Sequence, residues 1–238
     1  MSKPIISIII PVFNEAENIQ KFLKQFETCS EIEIIIVDGG STDDTRAKIE
    51  EFNTRDREIK LVTSNKLGRA NQMNYGATLA RGKILLFLHA DTILPVNYQQ
   101  IVQSILKREN VIVGAFRLSI DSSKKSLRLV ENMAIWRSQF LSLPYGDQGF
   151  FITKDNFYRL GSFADLPIME DFNFIQKAKQ NGKIIIADAA VITSPRRWQK
   201  LGVIKTTVIN QLIILGYYFG ISPDRLKKLY HRAKIINK

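Results

Sequence analysis

Three clusters of polar residues each follow directly on an apolar run. Pro11-Val12-Phe13-Asn14-Glu15 follows Ile5–Ile10, Asp38-Gly39-Gly40-Ser41-Thr42-Asp43-Asp44 follows Ile32–Val37, and His89-Ala90-Asp91 ends the run that starts at Ile84. A carboxylate that ends a buried strand, as Asp38 does, can accept hydrogen bonds from a nucleobase imide or a ribose. Gly39 and Gly40 let backbone approach such a ligand closely. The competing assignment for Ser41-Thr42-Asp43 is a cap on the next helix. A fourth acidic pair, Glu170-Asp171, stands at a helix start, where its charge complements the helix dipole or serves a proton transfer. No G-x-G-x-x-G follows a strand and no Walker lysine motif is present, which excludes a dinucleotide fingerprint and a P-loop.

These clusters need a scaffold that brings them to one edge. Ile5–Ile10, Ile32–Val37, Ile59–Thr63 and Ile84–Leu88 read as buried strands, and Ala16–Phe26, Thr45–Phe52 and Ala70–Ala80 as helices. Continuous apolar strands separated by amphipathic helices predict an α/β fold, a mostly parallel sheet with helices on both faces. Ligands of such sheets bind outside the carboxyl ends of the strands. The second half is less regular. Val111–Ile120, Phe150–Thr153 and Ile184–Ile186 read as strands, and Leu127–Phe140, Lys154–Leu160 and Asp171–Gln180 as helices. Val203–Phe219 and Pro223–Ile236 read as two closing helices split by Gly220 and Ser222-Pro223. The expected organisation is a catalytic domain over residues 1–195 and a helical extension over 196–238.

The chain has 238 residues, 45% hydrophobic and 24% charged, as expected for a globular protein. Its single cysteine, Cys29, excludes an internal disulfide framework and a Cys-rich zinc site. Of the net charge of +11, residues 196–238 carry +9, from ten Lys/Arg against Asp224. A basic tail on a near-neutral body favours anionic partners. The longest apolar stretch, Leu212–Ile221, is too short for a membrane span. No leader sequence is expected, and the expected setting is cytoplasmic, with contact at the inner membrane surface left open. The stripe Ile204, Val208, Leu212, Leu215, Phe219 is expected first as a core-packing face, and second as an interfacial one followed by Lys227, Lys228, Arg232 and Lys234.

Taken in order, P-V-F-N-E, V-D-G-G-S-T-D-D, the Gly68–Ala77 string G-R-A-N-Q-M-N-Y-G-A, L-H-A-D-T and M-E-D-F resemble family 2 glycosyltransferases of the GT-A fold. The likeness covers about residues 4–195. The Gly68–Ala77 string and L-H-A-D-T further resemble a bacterial subfamily associated with arsenosugar biosynthesis. The resemblance implies a nucleotide-sugar donor, UDP favoured, held by Pro11, Asn14, Glu15, Asp38, Gly40, Arg69 and Ala90. It implies a divalent cation, Mn2+ or Mg2+, at Asp91. His89 replaces the first Asp of the family's D-x-D motif, either as a ligand or as a hydrogen-bonding neighbour. It implies Asp171 as general base with Glu170 beside it, and inversion through a single displacement. Asp147 and Gln148, in the string Tyr145–Phe150, are implied near the acceptor, with a turn-holding role as the alternative for Asp147. Ser194-Pro195-Arg196-Arg197-Trp198 loosely resembles the Q-x-x-R-W element of processive members. The Gln is replaced by Ser194, which argues against polymer synthesis. Arg196 and Arg197 then bind diphosphate and Trp198 the acceptor, or the segment is a basic turn with Trp198 on the core.

Two other classes compete. A sugar-phosphate nucleotidyltransferase also uses an α/β sheet and acid–metal chemistry, but Pro11–Glu15 is not its Gly- and Lys/Arg-rich loop. A non-enzymatic nucleic-acid or membrane-surface protein would use the basic tail, yet no helix-turn-helix, RRM or KH pattern supports nucleic-acid binding. The expected partners are therefore a nucleotide sugar, an acceptor hydroxyl on a small or lipid-linked molecule, and no nucleic acid.

Overall fold

The computed structural model describes residues 4–26, 31–52 and 59–235. Cys29 and the expected last residue of the final helix, Ile236, lie outside them. An eight-stranded sheet has the order β3-β2-β1-β4-β7-β6-β8-β5. Its strands are β1 (Ile6–Val12), β2 (Ile32–Asp38), β3 (Ile59–Thr63), β4 (Ile84–Phe87), β5 (Thr92–Ile93), β6 (Val111–Ile120), β7 (Phe150–Thr153) and β8 (Lys183–Thr193). The first four are mutually parallel, and β6 runs parallel to β8. Only β7 and the short β5 run against their neighbours. The mostly parallel sheet is as expected.

The helices are α1 (Ile19–Leu23), α2 (Thr45–Phe52), α3 (Arg69–Leu79), α4 (Tyr98–Leu106), α5 (Lys125–Phe140), α6 (Lys154–Arg159), α7 (Glu170–Asn181), α8 (Arg196–Leu201), α9 (Val203–Tyr218) and α10 (Pro223–Ile235). Two core clusters lie on opposite faces of the sheet. One gathers Ile8, Ile10, Ile34, Ile36 and Leu86 with Phe22 and Val102. The other gathers Ile9, Ile35, Val37 and Leu85 with Met73 and Ile175. Even and odd positions of one strand thus serve different layers, as a period of two requires. Trp198 joins the first cluster, while Ile213 and Leu226 join the second, so the C-terminal helices share the core of the body.

Four elements differ from the sequence pattern. β1 continues through Pro11 to Val12 instead of ending at Ile10. Ile9 accepts from Leu88 N, so Pro11, two residues on, points its missing N–H toward the side where β4 has already ended. The helix expected over Ala16–Phe26 is only α1 plus a 3-10 turn at Lys24–Phe26. β8 is far longer than Ile184–Ile186, because the weakly β-forming Ala187-Asp188-Ala189-Ala190 continues the strand beside β6, where Asp188 pairs with Arg117 at 2.7 Å. The stripe expected first on the core, Ile204, Val208, Leu212, Leu215 and Phe219, is exposed. α9 instead buries Thr206, Ile213 and Gly216. A helix apolar on nearly every side offers no unique inner face to read, and the small Gly216 decides it by admitting Leu226 of α10.

Candidate active site

The carboxyl ends of β1 and β2 are level, with Val12 opposite Asp38. Two features lock them. Gln72 of α3 is buried, and its Nε2 donates to both Val12 O and Val37 O at 2.8 Å. The two following loops brace each other: Asn14 N donates to Ser41 Oγ, Thr42 N donates to Asn14 Oδ1, both at 2.9 Å, and Glu15 N donates to Thr45 Oγ1 at 2.8 Å. The helix cap comes from Asp43, whose carboxylate accepts from Thr45 N and from Ala16 N. Ser41 serves Asp38 instead. Asp38 is 1% exposed, and its carboxylate accepts from Gly40 N and Ser41 N at 3.2 Å, with Arg46 at 3.5 Å. Gly40, at φ 87, has nothing within 4 Å of the position a Cβ would take, which leaves the turn open to an incoming group.

A cleft of about 520 Å3 opens beside this edge. It takes in Arg69, His89, Asp91, Asp147, Glu170, Asp171, Arg197 and Trp198. Pro11, Asn14, Glu15, Asp38, Gly40, Ala90, Gln148 and Arg196 do not line it. The two groups meet through Arg196, whose Nη2 lies 3.0 Å from Glu15 Oε2 and 3.4 Å from Asp91 Oδ2. Burial raises the Glu15 carboxyl, Arg196 lowers it, and the net effect is upward. At the other side of the cleft, Met169 takes a left-handed conformation, φ 69, and turns the chain into α7, whose first two residues are Glu170 and Asp171. Asp171 accepts from Gly146 N at 2.8 Å and from Phe172 N at 2.7 Å, which fixes its carboxylate plane. Glu170 is pushed up by burial and by Asp171, against the pull of Arg69 at 3.5 Å. Burial, assisted by Arg69 and Arg197, pulls His89 down to about 3, so the imidazole is neutral.

The turn that carries Asp147 is held by groups outside the cleft, one of which, Arg137, belongs to no motif. Arg137 of α5 lies over the Tyr145 ring, 3.2 Å from its centroid, and donates to Leu143 O and Gln148 Oε1. Gln148 is fully buried, donating to Phe116 O at 2.8 Å and accepting from Tyr145 N. Arg137 and Gln148 therefore hold the turn that aims Gly146 N at Asp171. Asp147, on that turn, keeps Oδ1 buried without a hydrogen-bond partner. Burial raises its carboxyl. Asn210 and Ile213 of α9, with Lys227, Tyr230 and His231 of α10, form the remaining wall. Arg197 donates to Asn210 Oδ1 at 3.1 Å and to the Tyr230 hydroxyl. Their contribution depends on how two C-terminal helices fold back, which no local string encodes.

The Gly68–Ala77 string divides by task. Arg69 lines the cleft, whereas Asn71 bonds Asp165, and Asn74 exchanges two hydrogen bonds with the backbone of Phe163. Gly76 lies against Ile9 and Val37, where a Cβ would collide.

Comparison with known proteins identifies the family and the fold. The family model described as Glycosyl transferase family 2 matches residues 7–166. Glycosyltransferase GlyG of Streptococcus pneumoniae is 31% identical over 122 residues, covering 47% of this chain and 39% of that protein. An uncharacterized glycosyltransferase of Haemophilus influenzae is 26% identical over 199 residues, covering 75% and 61%. The chain thus spans less than two thirds of the length of either relative. Among solved structures, the mannosyltransferase PcManGT of Pyrobaculum calidifontis, in complex with GDP-Man and Mn2+, superposes with a TM-score of 0.68 at 20% identity, covering 97% of this chain and 69% of that one. TarS of S. aureus gives 0.64 at 18% identity, covering 85% and 64%. The fold is of the GT-A type, and the chain belongs to glycosyl transferase family 2.

Proposed function

We propose that this glycosyltransferase moves a sugar from UDP to an acceptor hydroxyl with inversion, assisted by a divalent cation. The observation that carries the reading is one cleft holding Asp91, Arg69 and a carboxylate, Asp171, aimed by the Gly146 N–H. Asp38, Asn14 and Gly40 would receive the nucleoside at the adjoining edge. The TarS complex with UDP-GlcNAc and the PcManGT complex with GDP-Man and Mn2+ support a nucleotide sugar and a cation as ligands of this fold.

Asp91 offers a hard oxygen donor and His89 a neutral imidazole nitrogen. Among the described residues, no group of three or more acids, histidines or cysteines converges, so Asp91 and His89 are the side chains that would hold the ion. A hard carboxylate oxygen and an imidazole nitrogen would suit a divalent cation there. Such an ion, when bound, neutralises charge on the leaving group. Arg69 and Arg197 add positive charge along the same path. Asp171 takes the acceptor O–H proton as the new C–O bond forms at the anomeric carbon and the bond to the diphosphate breaks. One displacement inverts that carbon. Asp147 and Trp198 stand on the acceptor side, residues 1–195 supply the donor half, and the helices from 196 close the acceptor wall. The Gly68–Ala77 and L-H-A-D-T strings support the arsenosugar-associated subfamily, although Asn74 and Gly76 within the first also have a structural cause.

A thermal-shift panel of UDP, GDP, CMP and dTDP, each with Mn2+, with Mg2+ and with chelator, tests the donor. A ligand that binds only the folded state raises Tm by mass action. Metal-dependent stabilisation by UDP alone is expected, and stabilisation by another nucleotide instead would overturn the UDP assignment. Release of pyrophosphate from a nucleoside triphosphate and a sugar phosphate would overturn sugar transfer itself.

A further inference from the structure

We propose that the outer faces of α5 and α9 form a docking surface for an anionic lipid bilayer. Each helix carries a stripe of large apolar side chains left exposed by the described residues. On α5 these are Leu129, Met133, Trp136 and Phe140, exposed by 63%, 45%, 56% and 73%. On α9 and its C-terminal cap they are Ile204, Val208, Leu212, Leu215 and Phe219, exposed by 80%, 49%, 60%, 51% and 84%. At 3.6 residues per turn each set falls on one narrow face. The two helices that bear these stripes are in contact. Single exposed apolar residues are ordinary, but two stripes of this kind on helices in contact mark an interaction site.

Charge selects the occupant. The exposed positive residues Lys124 and Lys125 begin α5, and Lys200, Arg225, Lys228 and Arg232 lie on the helices flanking α9. Residues 196–238 carry +9 with Asp224 as the only acid. A second copy of this chain would bring the same positive tail to the interface and repel it, whereas a negatively charged leaflet attracts it. Apolar stripes bearing Trp136, Phe140 and Phe219, flanked by Lys and Arg, are the composition of helices that lie in the plane of a membrane interface. No described helix is long and apolar enough to cross a membrane, so the contact is a surface one. The opposite side of α9, with Asn210, Ile213 and Ile214, lines the catalytic cleft. One helix therefore has the cleft on one side and the proposed bilayer on the other.

Only two tryptophans are present, and Trp198 is 7% exposed, so Trp136 is the natural reporter. Vesicles of phosphatidylglycerol mixed with phosphatidylcholine are expected to sediment the protein and to shift its tryptophan emission to the blue. Vesicles of phosphatidylcholine alone should bind at least tenfold less. W136F should keep sedimentation but lose the emission shift. The exposed double variant Leu212→Ser/Leu215→Ser should lose binding tenfold or more while its melting curve stays that of the parent. Equal binding to both vesicle types, or none, overturns the proposal. So does a dimer in analytical ultracentrifugation that the Leu212→Ser/Leu215→Ser variant dissociates, which would assign the face to a second copy. No nucleotide is needed in these assays, so their failure is separate from failure of the donor panel.

Discussion

Asp171 and Gly146 set the tightest condition in the cleft. A hydrogen bond from the Gly146 backbone N–H fixes where the carboxylate of Asp171, the proposed base, points. Asp171→Asn is expected to lower kcat by roughly a hundred- to ten-thousand-fold, the usual weight of a general base. The UDP-induced Tm shift should stay unchanged; loss of that shift would make Asp171 a donor ligand instead. Gly146→Ala tests the same point from the backbone side. A Cβ there would stand 3.2 Å from Asp171 Oδ2 and 3.1 Å from His89 Nε2. We expect kcat to fall well over tenfold with little change in Tm, and equal losses in both would mean that the turn itself had collapsed. Acids at strand ends and at a helix start are readable because chemistry and position coincide in one short string. Arg137 is not, since its guanidinium reaches the site only by lying on Tyr145, a ring eight residues away along the chain.

Elements carry this site because the sheet puts their ends level. The parallel half, β1 to β4, was legible, since buried parallel strands are continuous apolar runs. β8 was legible only in part, since its second half is alanine-rich; α4 was not expected, and α8 only as an unspecified part of the helical extension. The join between halves depends on one glycine. Gly114 of β6 lies under the ring of Phe151 of β7, and any Cβ would overlap that ring. Gly114→Ala should therefore destabilise by about 1–3 kcal/mol, the ordinary cost of overpacking. Chemical denaturation reads it directly, and a midpoint equal to the parent's would show that Phe151 can move aside. The outer stripe of α9 shows the limit of periodicity: with apolar residues on nearly every side, only the partner helix decides which are covered.

At the scale of the whole molecule, acid tolerance should depend on a buried carboxylate far from the cleft. Burial by itself would raise Glu33, but Arg81 N, Ser7 Oγ and the Arg81 guanidinium at 2.6–2.8 Å outweigh it and hold the carboxyl below its ordinary 4.5. A group depressed in the folded state stabilises above its unfolded value and loses that contribution as pH falls through the folded one. Tm should thus decline below about pH 4.5, a decline that is shallower in Glu33→Gln. An unchanged slope would place acid sensitivity elsewhere. The guanidinium of Arg196 has a different kind of consequence, one of timing. It bridges Glu15 and Asp91 from positions 181 and 105 residues further along. On a ribosome, the first acid emerges long before its counter-ion exists. Contacts of such long separation form late. Until α8 arrives, Glu15 and Asp91 face each other with no cation between them. The nucleotide edge can then be folded while the catalytic centre is still electrostatically unfinished. A growing chain would hold this edge without its counter-ion until α8 had been made.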